Sequence, residues 1–133
     1  MRMVIQVEPL MNERLSNVQG ETVMVLATVR MLIPSEKRPE AVEILRMMAE
    51  RTRYQPGCLS CRIYHDEQVE AIFMVEEVWK SQGDLDRHLR SDDYRNMLFV
   101  TEMALEPPEI RFQTISHSAG IEIIEKARGC TRE

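Results

Sequence analysis

The side chains with the most chemical potential lie in one stretch, EEVWKSQGDLDRHLRSDDY, over residues 76–94. With a serine as the helix cap, Leu85 and His88 fall on one face of a short helix, so the imidazole points toward the core. Trp79 stands nine residues before His88 and Tyr94 six residues after it. An indole, an imidazole and a phenol near one pocket suit a flat, acidic organic substrate better than a phosphate or a metal. The same spacing is also typical of a histidine that is simply buried and hydrogen-bonded.

Composition limits the class of protein. The chain has 133 residues, 44% of them hydrophobic, which is enough for one domain with one core. Its net charge is -5 and its basic residues are scattered, so neither nucleic acid nor an anionic membrane is an expected partner. The opening segment MRMVIQVEPLM is too short and too polar for a signal peptide or a membrane span. Together with an odd number of cysteines, three, this predicts a cytoplasmic protein.

The spacing of Cys58 and Cys61 forms a C-x-x-C motif. If the segment is a strand, residues three apart project to opposite faces, so the two thiols should not converge on a metal or form a redox disulfide. No second pair of cysteines exists, and His65, His88 and His117 are far apart in sequence. The spacing therefore predicts a protein with no metal site.

Periodicity indicates an α+β fold. In chain order it predicts a strand over 22–33, a helix over 39–53, strands over 58–65 and 69–79, a helix after Ser81, a helical piece over 92–103 and a strand over 109–116. This β-α-β-β-α-β order predicts a ferredoxin-like domain over 21–117, a four-stranded antiparallel sheet with both helices on one face. We expect residues 1–20 to form an amino-terminal extension with a short strand at 3–7, and residues 118–133 to form a carboxy-terminal extension. The pattern of 120–128 fits a helix or a strand.

Alternation divides the side chains of the strands into two faces. The face predicted to meet the helices carries Val25, Ala27, Val29, Leu59, Cys61, Ile63, Ile110 and Phe112. The opposite face carries Met24, Leu26, Leu32, Arg30, Arg62, Arg111 and Tyr64. This second face is too apolar to be fully solvated and too charged for a dry core, which predicts a homodimer that packs through it, with Glu76 or Glu77 as partner of the arginines.

Two ordered motifs carry a family resemblance. The pattern E-x-W-x-S at a strand end, followed by a leucine, a histidine-leucine pair and a tyrosine, resembles the antibiotic biosynthesis monooxygenase (ABM) domain family. The upstream segment YQPGCLSCRIYHD resembles the family's link between its first helix and second strand, with Pro56 and Gly57 at the turn and Tyr64 and Asp66 at the strand end. The two cover roughly residues 22–117. The resemblance also implies a dimeric α+β barrel.

The resemblance implies a chemistry as well. Active members of the family oxidise phenolic or hydroquinone substrates with molecular oxygen and without metal, flavin or haem. The protein then has to hold the ring, favour its deprotonated form and exclude water. His88 would accept or share the substrate proton, Tyr94 and Tyr64 would hydrogen-bond the ring oxygens, and Trp79 would form a wall for stacking.

Other functions stay open. Arg30 and Arg62 are candidate substrate-binding residues for an anionic group, although arginine–glutamate pairs are the simpler reading. Haem degradation is disfavoured, because the segment YRNMLFVTEMAL offers no axial histidine. An isomerase of a small, phosphorylated metabolite could use the same His88 and Tyr94. A non-catalytic, dimeric ligand-binding or stress-associated domain would instead keep His88 packed, without a cavity beside it.

Overall fold

A computed structural model describes residues 5–6 and 23–129 of the chain. Within these ranges the strands are β1 (Ile5–Gln6), β2 (Met24–Leu32), β3 (Cys58–His65), β4 (Ile72–Trp79) and β5 (Glu109–Ile115). The helices are α1 (Arg38–Thr52), α2 (Gln82–Arg90), α3 (Tyr94–Met103) and α4 (Ile121–Ala127), with a short 3₁₀ turn at Ser35–Lys37. The strand predicted over 3–7 is observed at Ile5–Gln6, and its other positions lie outside the described residues.

The strands form one sheet in the order β1-β5-β2-β4-β3. The four strands β5, β2, β4 and β3 pair antiparallel, and β1 adds to the edge parallel to β5. Because β3 and β4 form a hairpin and helices join the other strands, this is the predicted ferredoxin-like arrangement. The α+β fold class is confirmed. The parallel fifth strand at the edge is an addition.

The core lies between the sheet and the helices. Along β2 buried and partly exposed side chains alternate, which is the period of a strand with one face in the core. The buried apolar side chains come from the sheet and from three helices. They include Val25, Ala27, Val29 and Met31 of β2, Ile33 just after it, Leu45 and Met48 of α1, Leu85 of α2, Met97 and Val100 of α3, and Ile110 and Phe112 of β5. The predicted core faces of β2 and β5 are therefore confirmed.

A β-bulge in β3 overturns one sequence prediction. The pairing with β4 shifts between Cys58, which lies opposite Trp79, and Ser60, which lies opposite Val78. The extra residue, Leu59, is 53% exposed rather than in the core. Because the bulge absorbs one residue, Cys58 and Cys61 face the same side, and both pack against the core. The prediction that these cysteines project to opposite faces is wrong.

The two thiols are nonetheless poor ligands and nucleophiles. Burial raises the pKa of Cys58 to about 11 and that of Cys61 to about 12, so both stay protonated at neutral pH. Within the described ranges, no three histidine, cysteine or acidic side chains are grouped to hold a metal ion.

The helix boundaries that flank the functional stretch match the sequence pattern. Ser81 caps α2, since its Oγ accepts a hydrogen bond of 3.2 Å from the backbone N–H of Asp84. The helix ends at Arg90, and the hydroxyl of the next residue, Ser91, donates to the backbone oxygen of His88 at 2.6 Å. The undecided segment near residue 120 is helical as α4. None of the helices in the described part of the chain is long and apolar enough to cross a membrane.

Candidate active site

Three elements bring the aromatic and imidazole side chains together. β4 ends at Trp79, α2 carries Leu85 and His88 on its buried face, and α3 begins at Tyr94. The sharp turn from β4 into α2 and the break at Ser91 place all three elements against one another. Trp79 and His88 are fully buried and Tyr94 is nearly so. The helical period that placed His88 beside Leu85 is confirmed.

The rings form a compact cluster. The indole of Trp79 stacks on the imidazole of His88, with ring centroids 4.6 Å apart and the planes inclined by 28°. Tyr94 meets the same imidazole edge-on, at 5.2 Å and 84°. The imidazole therefore has an aromatic wall on one side and a phenol on another, an environment that also stabilises a cation electrostatically.

Of the two acids expected as partners of the arginines, Glu76 or Glu77, the second lies on the other side of the sheet. Only 3% of it is exposed, on the helix side of the sheet with Val75 and Trp79. Its Oε1 accepts the indole N–H of Trp79 at 2.9 Å. Nε2 of His88 lies 3.2 Å from Oε1 and 3.3 Å from Oε2 of the same carboxylate. The period-two alternation counted back from Trp79 is the signal that could have placed this acid beside the histidine.

Gln55 holds the other ring nitrogen of His88. Its Oε1 lies 2.9 Å from Nδ1, and its amide nitrogen donates to Oδ2 of Asp93 at 3.3 Å. Because the amide nitrogen faces a carboxylate, the amide oxygen must face the imidazole, and Nδ1 must be the donor. Arg51 adds a further contact to this series of hydrogen bonds, at 3.4 Å from Asp93 on its outer side.

These contacts define the electrostatics of the site. An amide oxygen faces Nδ1 of His88 and a carboxylate faces Nε2, so both ring nitrogens act as donors. This pattern fits an imidazolium paired with the Glu77 carboxylate. Such a cation, walled by an indole and a phenol, can hold an oxygen anion on a flat ring.

Tyr94 is a neutral hydrogen-bond donor in this setting. Burial, together with the negative charge of Glu77, raises the pKa of its phenol well above the ordinary value. It therefore does not ionise under physiological conditions and cannot serve as a base. It can donate a hydrogen bond to a ligand oxygen.

The remaining candidate residues lie on the opposite face of the sheet. Across the strands, Arg30 stands opposite Met74, which in turn stands opposite Tyr64. Arg62 is paired in register with Glu76, the acid expected to face the arginines. Tyr64 is 44% exposed on this outer face. Within one chain, the structure therefore does not bring these three candidates to the His88 cluster.

A small apolar pocket opens elsewhere, between α1 and α3. It is lined by Ile44, Met47, Met48, Arg51 and Asn96. Through Arg51 it adjoins the outer end of the hydrogen-bonded chain that leads to His88.

The fold and the site define a small ferredoxin-like domain with a buried imidazole in an aromatic cluster. The family model for antibiotic biosynthesis monooxygenases matches residues 24–98, more than half of the chain. This chain belongs to that family.

Individual relatives are distant. An uncharacterized protein from Synechocystis sp. is 23% identical over 103 residues, which cover 77% of this chain and 70% of the relative. Rv0793 from Mycobacterium tuberculosis is 22% identical, with a TM-score of 0.67 over 73% of this chain and 99% of that structure. A conserved protein from Methanosarcina mazei Go1 is 24% identical, with a TM-score of 0.65 over 69% of this chain and 92% of that structure. These solved structures support the fold.

Proposed function

We propose that this protein is a cofactor-independent monooxygenase that oxidises a quinol or polyphenolic small molecule with molecular oxygen. The observation that carries the proposal is the buried cluster in which Trp79 and Tyr94 surround the His88 imidazole while Glu77 pairs with it. Membership of the antibiotic biosynthesis monooxygenase family supports the same reaction class.

In this proposal the substrate supplies the electrons and the protein supplies the environment. A phenolate passes an electron to oxygen far more readily than a phenol does, so the site has to favour the deprotonated ring. The substrate binds as its phenolate after losing the proton to solvent, because the His88 ring already carries an N–H on both nitrogens and cannot accept it. The His88 imidazolium then stabilises the anion by its charge and by the N–H of Nδ1. Trp79 offers a face for stacking, and Tyr94 donates to a ring oxygen.

The decisive assay is oxygen uptake by the metal-stripped protein with a panel of hydroquinones, anthrones and catechols. We expect uptake that depends on substrate, is insensitive to chelators and is lost in His88→Ala. His117→Ala is the matched control, because that histidine is exposed beyond β5 and should be dispensable. Rates are compared per folded molecule, since His88 is a core residue. Equal uptake by wild type and His88→Ala would refute the role of the imidazole.

We also propose a homodimer that packs through the outer face of the sheet. On that face Leu26 lies between Val78 and Gln113, and it is only partly exposed in the single chain. Leu26→Asp should yield a monomer in light scattering, whereas Leu105→Asp, at a 65% exposed loop position, should not change the mass. A monomer mass for the wild-type protein at micromolar concentration would refute the dimer. In the dimer, Arg30, Arg62 and Tyr64 would lie in the interface, and in a monomer they would be free to form a second anion site.

One observation favours a second candidate, a non-catalytic dimeric binding domain. Trp79 and His88 have no exposed surface, and both ring nitrogens of His88 already have protein partners. An interior packed in this way can serve stability alone. If the protein takes up no oxygen with any substrate of the panel, the binding domain is favoured. If it converts a ligand without taking up oxygen, an isomerase is favoured.

A further inference from the structure

The loop between α1 and β3 holds Gln55 against the buried imidazole. Its backbone is held by hydrogen bonds of ordinary length from Gln55 N to Thr52 O at 3.0 Å and from Cys58 N to Gln55 O at 3.1 Å. Gly57 has φ +82°, and any side chain there would overlap the carboxyl group of Asp84. The loop therefore packs tightly on the first turn of α2. The Gln55 side chain, in contrast, can rotate without disturbing this backbone.

Gln55 lies between the imidazole and solvent. His88 is completely buried, Gln55 is partly exposed, and the side chain of Asp93 beyond it is 28% exposed. An amide gains or loses no proton near neutral pH, so this chain of hydrogen bonds cannot carry a proton to the surface. The contact therefore positions the imidazole.

The two acceptors on His88 differ in strength. Glu77 is a charged carboxylate, 3% exposed, that also holds the indole of Trp79, so it is anchored in the core. Gln55 is a neutral acceptor on a loop. Hydrogen bonds between two charged groups are stronger than those between a charged and a neutral group. An anionic oxygen that reaches Nδ1 would therefore displace the amide rather than the carboxylate.

We propose that Gln55 is an internal placeholder: its amide oxygen occupies, in the unliganded protein, the position on Nδ1 of His88 that a phenolate or enolate oxygen takes when ligand binds. The choice of an aromatic ligand rests on the proposed function. The replacement of one hydrogen-bond acceptor by another does not rest on that function, because it requires binding and no turnover. Rotation of the Gln55 side chain opens the site, and its return closes the site after release.

The chain provides its own probe for this exchange. Trp79 is the one tryptophan in the sequence, and it stacks directly on His88. Its fluorescence can therefore report the binding of 4-nitrophenolate, an aromatic anion, with inner-filter correction. Nitrogen-15 spectra of the histidine rings report in parallel whether Nδ1 of His88 changes its partner.

Removing the placeholder should tighten binding. In Gln55→Ala the ligand no longer has to break the Gln55–His88 hydrogen bond, so we expect 4-nitrophenolate to bind at least about tenfold more tightly than to wild type, about 1.4 kcal/mol. Gln55→Met keeps the length of the side chain without its acceptor and should shift affinity in the same direction, should the alanine variant fail to fold. Gln68→Ala, at an exposed glutamine of the β3–β4 loop, should match wild type.

Two results would overturn the inference. One is unchanged or weaker binding by both folded Gln55 variants, which would make Gln55 a purely structural residue. The other is binding that persists in His88→Gln with the same affinity, which would place the ligand elsewhere. Tighter binding by the Gln55 variants, with no oxygen uptake by the wild type, would support the placeholder and refute the oxygenase. Oxygen uptake by the wild type, without tighter binding by the Gln55 variants, would support the oxygenase and refute the placeholder.

Discussion

The pairing of Glu77 with His88 predicts a strongly non-additive effect on stability. Both side chains are buried, and the carboxylate accepts from Nε2 of His88 and from the indole of Trp79. Replacing Glu77 by leucine leaves a buried imidazole that has lost its countercharge. Replacing His88 by leucine leaves a buried carboxylate with the indole N–H as its remaining partner.

Magnitudes follow from the cost of an uncompensated buried charge. Breaking a buried ion pair by removing one partner typically costs about 3–5 kcal/mol, so each single leucine variant should lose about that much free energy of unfolding. Replacing both partners by apolar residues of similar volume is often close to neutral. Here the double variant also leaves the buried indole N–H of Trp79 without its acceptor, at about 1–3 kcal/mol, whereas Gln55 keeps its contact with Asp93 and is partly exposed to water. We expect its total loss to be at least about 2 kcal/mol smaller than the sum of the two single losses.

The assay is urea unfolding of the wild type, both single variants and the double variant, followed by far-ultraviolet circular dichroism. Protein concentration is held constant, because a dimer couples unfolding to association. The pair Leu26→Ala and Leu105→Ala, at separate positions, provides a control for additivity. Losses that add to within about 0.5 kcal/mol for Glu77 and His88 would refute the buried ion pair.

Two further predictions concern the loop and the bulge. Gly57→Ala should destabilise the protein by more than about 2 kcal/mol, because it combines positive φ with overlap on Asp84. Gly129→Ala, with φ +75° and open space around it, should cost less in the same thermal melts; equal losses would contradict the contact with Asp84. Cys61, whose pKa burial raises from 9.0 to about 12, stabilises the fold fully below pH 9 and loses that contribution as pH rises toward 12. In reducing buffer, Cys61→Ala should therefore flatten the alkaline fall in stability by up to about 1.4 kcal/mol per pH unit, and an unchanged slope would refute the assignment.

Much of the fold follows from local patterns. The alternation along Val25, Ala27 and Val29 gives a strand with one buried face, and the strand–helix order of the chain leads to the ferredoxin-like topology. The bulge at Leu59 could not be predicted, because it depends on how β3 pairs with β4. The parallel pairing of β1 with β5 joins the two ends of the domain, and no local pattern encodes it.

The site was predictable to the same extent. His88, Trp79 and Tyr94 lie close in sequence, and helical periodicity with one turn is enough to bring them together. Glu77 needed only the alternation of β4 to be applied consistently. Gln55 is 33 residues from His88, and its contact is made by a side chain from an irregular loop, which periodicity does not describe.

The charged groups are a costly way to stabilise this core. Burying an ion pair costs desolvation that its attraction only partly offsets, and apolar residues of the same volume often serve as well. The Glu77–His88 pair nevertheless lies where α2 and β4 meet, beneath an indole. An imidazolium held there keeps one N–H on a neutral, displaceable amide and the other on a fixed carboxylate. That asymmetry leaves one strong donor for an incoming oxygen anion, which is what the oxidation of a phenolate would require of the protein.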